Sequence, residues 1–253
     1  MAAREKIIAF CDELLQADAF ADYGPNGLQV PGAAEVSRVA TAVSAHRESI
    51  EAAVACGAQL LLAHHGLFWD SQPRSITAPM AARLRAVFDA SLSIAAYHLP
   101  LDAHPQIGNN ALLCEALGFA RTDVPLGEVR GNAIGVVGSR EEPVEATALF
   151  ARVEEVTARS PLVFDAGPER VERIGIISGG GSSGLAEAVA LGLDAFCTGE
   201  PSEYVMADAR EGGIHFIVAG HYATETFGIR RLGELVAERF GVEHDFIDVP
   251  NPI

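Results

Sequence analysis

Residues 36–65 read VSRVATAVSAHRESIEAAVACGAQLLLAHH. The stretch opens on β-branched and small residues over 36–44 and takes on helical spacing over 47–56. It breaks at Gly57 and resumes as a short apolar run over 59–63. A short apolar run without alternation is the pattern of a strand covered on both faces. Strand, helix and buried strand in succession form the repeating unit of a parallel sheet with helices packed on it. The run ends on His64-His65, where α/β sheets gather their ligands, at the carboxyl end of a strand.

The same alternation extends in both directions. The spacing predicts helices over 3–17, 78–90, 109–117, 143–157, 185–191, 202–211 and 224–240. It predicts strands over 28–30, 92–96, 133–137, 162–164, 171–177, 194–197, 214–219 and 244–249. The fold class expected is α/β, in layered lobes. The softest boundary is 121–131, rich in Gly, Pro and charge. The expected division is a first lobe of 1–125 plus 222–253, with a second lobe of 126–221 inserted in it.

Composition removes several chemistries. The chain has 253 residues, 18 cations and 34 acids, a net charge of −16, and a single lysine, Lys6. Schiff-base, pyridoxal-anchoring and Walker-type lysines are therefore not available beyond the first helix. The acidic field repels a polyanion, which makes nucleic acid an unfavourable partner. Cys11, Cys56, Cys114 and Cys197 are widely spaced and form no C-x-x-C pair. No signal-peptide pattern or apolar run of membrane-spanning length occurs, so a cytoplasmic protein is expected.

The eight histidines carry the chemistry. His64 and His65 are neighbours at a strand end, so they point in different directions and can serve different ions of a close pair. His98-Leu-Pro-Leu-Asp102-Ala-His104 follows another predicted strand, and Gly220-His221-Tyr-Ala-Thr-Glu225 follows a third. Thr224 reads as an N-cap that puts Glu225 in the first helical turn. Imidazole with carboxylate suits zinc, iron, manganese or nickel at an open site. Any one cluster alone is more simply a hydrogen-bonding loop; three clusters after three strands point to metal. His46, His215 and His244 lack such partners and read as structural or surface residues, and His104 belongs to the next turn.

Two further features compete. Gly179-x-Gly181-x-x-Gly184 follows a strand and opens a helix, the outline of a dinucleotide fingerprint. The required acid is misplaced, since Asp194 comes too early and Glu200 lies beyond the next strand. A tightly packed glycine turn is the simpler reading. Trp69 lies beside the His pair, either as core packing or as an apolar wall of the site.

Six blocks in order carry a resemblance. They are Asn26-Gly-Leu-Gln-Val30, Ala63-His-His-Gly-Leu-Phe-Trp69, Tyr97-His-Leu-Pro-Leu-Asp102, Ile177-Ser-Gly-Gly-Gly181, Thr198-Gly-Glu-Pro-Ser-Glu203 and Ala219-Gly-His-Tyr-Ala-Thr-Glu225. Over nearly its whole length the chain resembles the Nif-three-like dinuclear-metal proteins, also labelled GTP cyclohydrolase 1 type 2 homologues, in their compact bacterial form. The resemblance implies two divalent ions per chain at strand C-terminal ends between two α/β lobes. It implies His64, His65, Asp102, His221 and Glu225 as ligands. Glu225 would bridge the ions, with His65 and Asp102 completing one and His64 and His221 the other. It also implies a ring-like homohexamer.

The functional expectation is a metal-dependent hydrolase of a small, nucleotide-like substrate, which can be anionic. His98 and Glu200 are the proton-transfer candidates, with support of the metal ligands as the equal alternative for each. The alternative function is a non-catalytic metal carrier or regulatory scaffold. DNA binding ranks last because of the charge.

Overall fold

A computed structural model describes all of residues 1–253. The chain divides into two units, Met1–Leu101 with Gly228–Val249, and Asp102–Phe227 with Pro250–Ile253. One division falls inside the short helix Leu99–Ala103. The other falls just inside the long helix Thr226–Phe240.

The first unit is built on a five-stranded sheet in the order Glu243–Phe246, Arg38–Ser44, Leu60–His65, Ser93–Ala96, Gly27–Val30. The first four strands run parallel, and Gly27–Val30 closes the edge antiparallel. The middle strands are buried except at the end residues Arg38, Ser44 and His65, as their largely apolar pattern requires. Leu61 sits in register with Ala40 on one side and Ile94 on the other, in a core shared with Ile50, Leu67 and Val87.

The helix Arg47–Ala55 begins at His46. The His46 Nδ1 accepts the Ser49 amide at 3.2 Å, and Ser49 Oγ accepts the His46 amide at 3.1 Å. His46 is therefore a helix cap. His244 Nε2 bonds Thr41 Oγ1 at 2.8 Å across the paired strands, and burial lowers its pKa. Arg38 ties to Glu243 and Asp245 of the neighbouring strand.

The second unit carries a six-stranded sheet in the order Leu162–Phe164, His215–Val218, Ala195–Thr198, Arg170–Ile177, Val136–Glu145, Ala120–Arg121. Its three central strands are parallel and the other pairings antiparallel. The helix Asn109–Ala116 packs with this unit, since Leu113 and Cys114 share a core with Ile174, Ile176 and Ala195. His215 is a core residue. Its Nε2 donates to the Pro168 carbonyl at 2.7 Å, and its Nδ1 accepts the Gly167 amide at 3.2 Å.

Two expected elements differ. The helix predicted from Pro143 starts at Ala146, because the strand Val136–Glu145 runs through Pro143. The ladder register shifts between Ser139 and Val144, and a proline without an amide hydrogen is tolerated at such an irregularity. The helix predicted over 224–240 is two helices, His221–Thr224 and Thr226–Phe240, with Glu225 at the break between them. Thr224 is not an N-cap: its Oγ1 donates back toward the Gly220 and His221 carbonyls and accepts the Gly179 amide.

All four cysteines are free, and burial pushes the Cys114 and Cys197 thiols up to about 12. No helix is long and apolar enough to cross a membrane. Because Leu61 is fully enclosed in the central strand, Leu61→Ala should destabilise the protein by about 2–5 kcal/mol. Urea unfolding checks this; a loss under 1 kcal/mol would mean the site collapses around the cavity.

Candidate metal centre

In the first unit the strand Leu60–His65 ends on both histidines of the pair, and at that strand end their rings converge instead of pointing apart. His64 is fully buried and His65 partly exposed. His64 Nδ1 lies 3.0 Å from the Tyr97 carbonyl oxygen, which can only accept. Its proton is therefore on Nδ1, and the lone pair is on Nε2. His65 stands opposite Ser44 in the ladder, and Ser44 Oγ holds its Nδ1 at 3.0 Å. Tyr97 is itself fixed, its hydroxyl donating to Asp12 at 2.7 Å.

His98 joins this pair. The ring centroids of His64 and His65 are 4.7 Å apart, and His98 lies 5.1 and 5.6 Å from them. Potential ligand atoms of all three lie within 4.8 Å of one another. His98 Nδ1 donates to Asp22 Oδ1 at 2.7 Å. Burial alone would raise the Asp22 pKa, but the bonds from His98, Asn26 and the Tyr23 amide outweigh it and hold the group at about 2. Asp22 also accepts the Leu99 amide at 2.9 Å, and Asn26 Oδ1 accepts the His98 amide at 2.9 Å.

The second unit gathers the carboxylates. Asp102 is buried on the helix Leu99–Ala103, where its Oδ1 accepts from Asn109 Nδ2 at 2.9 Å and Ser178 Oγ at 3.0 Å. A carboxylate oxygen of Asp102 and one of Glu225 lie within 4.8 Å. Glu225 is 3% exposed. His221 stands between two acids: its Nδ1 bonds Glu200, and its Nε2 lies 3.1 Å from Glu225 Oε2. Burial would lower the His221 pKa, but Glu225 and Glu200 together raise it to about 9.

Glycine makes this approach possible. Gly179 has φ +60°, and a Cβ there would fall 2.3 Å from Glu225 Oε1 and 3.1 Å from His221 Nε2. Its carbonyl accepts the amides of Gly199 and Glu200, and Gly199's carbonyl accepts the Gly220 amide. Three strand-end loops are thus laced together behind His221 and Glu225. The glycine run serves this packing, and only a 3-10 turn and the six-residue helix Leu185–Ala190 follow it.

The donor set fits a divalent first-row ion. It consists of imidazole nitrogens oriented by carbonyl, hydroxyl or carboxylate, and of two buried carboxylates, Asp102 held by neutral donors and Glu225 beside His221. Within the first unit the fold unites His64, His65 and His98; within the second it unites Asp102, His221 and Glu225, with Glu200 behind His221. His104 is apart from these sets, its Nδ1 accepting the amides of Gln106 and Ile107 in the following turn. Sequence reasoning missed Asp22, Ser44, Tyr97, Asn109 and Ser178. Asp22 and Asn26 bracket the Tyr-Gly-Pro turn, a local signal that could have marked them; a tyrosine acting through its backbone carbonyl leaves none.

The chain matches the Duf34/NIF3 (NGG1p interacting factor 3) family over residues 2–252. It is 40% identical over 250 residues to a Pseudomonas aeruginosa protein named GTP cyclohydrolase 1 type 2 homolog, covering 99% of this chain and 98% of that one. A Vibrio cholerae protein of the same name is 42% identical over 247 residues, covering 97% of each. Among solved structures, that of protein ybgI, described as of unknown function, has a TM-score of 0.93 at 38% identity, covering 100% of both chains. Reduced HcgD from Methanocaldococcus jannaschii shares the fold at a TM-score of 0.85 and 21% identity, covering 98% of each chain. With a family match across almost its entire length and relatives near 40% identity, the chain belongs to the Duf34/NIF3 family.

Proposed function

We propose that the protein is a metal-dependent hydrolase of a small, nucleotide-like substrate, with two divalent ions held by His64, His65, Asp102, His221 and Glu225. The observation that carries this reading is that each imidazole is gripped at Nδ1, which leaves Nε2 as the donor. The buried Asp102 carboxylate, oriented by Asn109 and Ser178, and the buried Glu225 carboxylate add the negative charge a cation needs. Bound ions of this kind supply Lewis acidity and make a bound water acidic near neutral pH.

The chain's own groups do the rest. Glu200 is a positioning residue, fixing the His221 ring through its Nδ1. His98, with its Nδ1 proton held by Asp22, presents Nε2 as a site to hold or move a proton. Trp69 lies 5.1 Å from His98 and 5.8 Å from His65, ring to ring, as an apolar wall that limits water. The relatives' shared name is the support for a nucleotide-like substrate. A homohexamer working in the cytoplasm completes the proposal, resting on the resemblance.

Turnover by metal-loaded protein on a panel of nucleotides, pterins and phosphoesters tests the reading. Glu225→Gln should abolish it; activity that survives the change belongs to a contaminant and contradicts the proposal. Glu200→Ala should weaken metal affinity by about 10–100-fold without eliminating it, measured by competition with a chromogenic chelator. In the metal-free protein His221 is protonated below about 9, and an ion must displace that proton. Affinity should therefore rise with pH, by up to about tenfold per unit below that value. Calorimetry in buffers of different ionisation enthalpy should show proton release at pH 7. No release would mean His221 is not a ligand.

A further inference from the structure

A second feature of the first unit is not accounted for by metal binding. Residues 71–88 contain Arg74, Arg83 and Arg85 and no acid, in a chain where acids outnumber cations 34 to 18. Arg74 and Arg83 line a cavity of about 520 Å³, together with Phe68, Trp69, Asp70 and Ile76. That is the size range of small-molecule sites. Asp70 is the only acid in the lining.

Some of the arginines are paired with acids. Arg38, Arg47, Arg152, Arg170 and Arg231 each pair with a carboxylate. Arg74 and Arg83 make no such pair. Two guanidinium groups without counter-ions beside an open pocket, in a protein whose overall field is acidic, would attract an anion there. The planar fork of Arg suits phosphate oxygens bidentately.

The cavity adjoins the imidazoles. Phe68 and Trp69 line it and also a narrow cleft that contains His64 and His98. The Trp69 indole is pinned by its Nε1, which donates to the Gly66 carbonyl at 3.2 Å. A ligand anchored at the arginines would lie against Phe68 and Trp69.

We propose that this pocket binds the phosphorylated end of a small molecule, with Arg74 and Arg83 as the clamp and Trp69 as the wall against its less polar part. The inference rests on the metal-centre reading for the ligand's role as substrate, but not for its binding. It assigns specificity to residues that are not metal ligands: the substrate carries phosphate, and neutral pterins or bases alone are poor ligands.

Trp69 is the only tryptophan in the chain and reports directly on the pocket. Metal-free protein should be titrated with sodium tripolyphosphate, with a nucleoside triphosphate and with the corresponding nucleoside, following Trp69 fluorescence. Saturable binding of both phosphates is expected, with the nucleoside at least about tenfold weaker. Arg74→Ala/Arg83→Ala should weaken phosphate binding about tenfold or more. Both side chains lie at the surface or partly so, and an unchanged thermal midpoint will confirm that the variant folds. Raising the salt concentration should weaken binding in the native chain more than in the variant. Equal affinity in the double arginine variant, or a fluorescence response that appears only after metal loading, would overturn the proposal. The second outcome would leave the metal reading standing, with the ions themselves as the anion site.

Discussion

Four imidazoles are each held by the same ring atom. Nδ1 of His64 faces the Tyr97 carbonyl, that of His65 the Ser44 hydroxyl, that of His98 the Asp22 carboxylate, and that of His221 the Glu200 carboxylate. Three of these partners can only accept a hydrogen bond, so they place the proton and leave Nε2 as the donor. This constraint gives the histidines the orientation that a metal site needs, with Nε2 left as the exposed ring nitrogen. The surrounding structure supports it. Tyr97 is anchored through its hydroxyl to Asp12, and Asp22 is drawn into the turn by Asn26 and the Tyr23 and Leu99 amides.

The second unit meets a different constraint, that of space. Asp102 comes from the helix Leu99–Ala103 and His221 and Glu225 from one segment after the strand His215–Val218, and that segment must pass within contact distance of the loop at Gly179. Gly179 allows this by having no side chain, at a backbone angle that other residues adopt only with strain. The amides of Gly199 and Glu200 on its carbonyl then fix the loops to one another. A buried carboxylate beside an imidazole is a charged arrangement that calls for compensation. In the metal-free chain the His221 proton provides it, and in the proposed holoprotein the ions do.

The fold class was legible in the sequence because buried parallel strands leave an unmistakable pattern, as at 59–63. The strand-end histidines were legible for the same reason, since the position of a strand end follows from where its apolar run stops. Three kinds of information were not readable. The break at Glu225 depends on Thr224 Oγ1 meeting the Gly179 amide, a tertiary contact between distant segments. The strand through Pro143 depends on an irregular ladder with Arg170–Ile177. The role of Tyr97 lies in its backbone carbonyl, which every residue has. His46 and His244 are structural, as their isolation suggested, but their partners, Ser49 and Thr41, appear only once the helix and the sheet are formed.

Of the 34 acids in the chain, the account assigns two, Asp102 and Glu225, to the ions directly. Two ions per chain follow from that assignment. Elemental analysis of protein purified without added metal, with the ions counted against chain concentration, tests it most directly. The account predicts about two first-row divalent ions per chain, lost together when Glu225 is replaced by Gln. Protein that purifies with no bound metal and takes up none on dialysis against zinc, iron, manganese or nickel would contradict it.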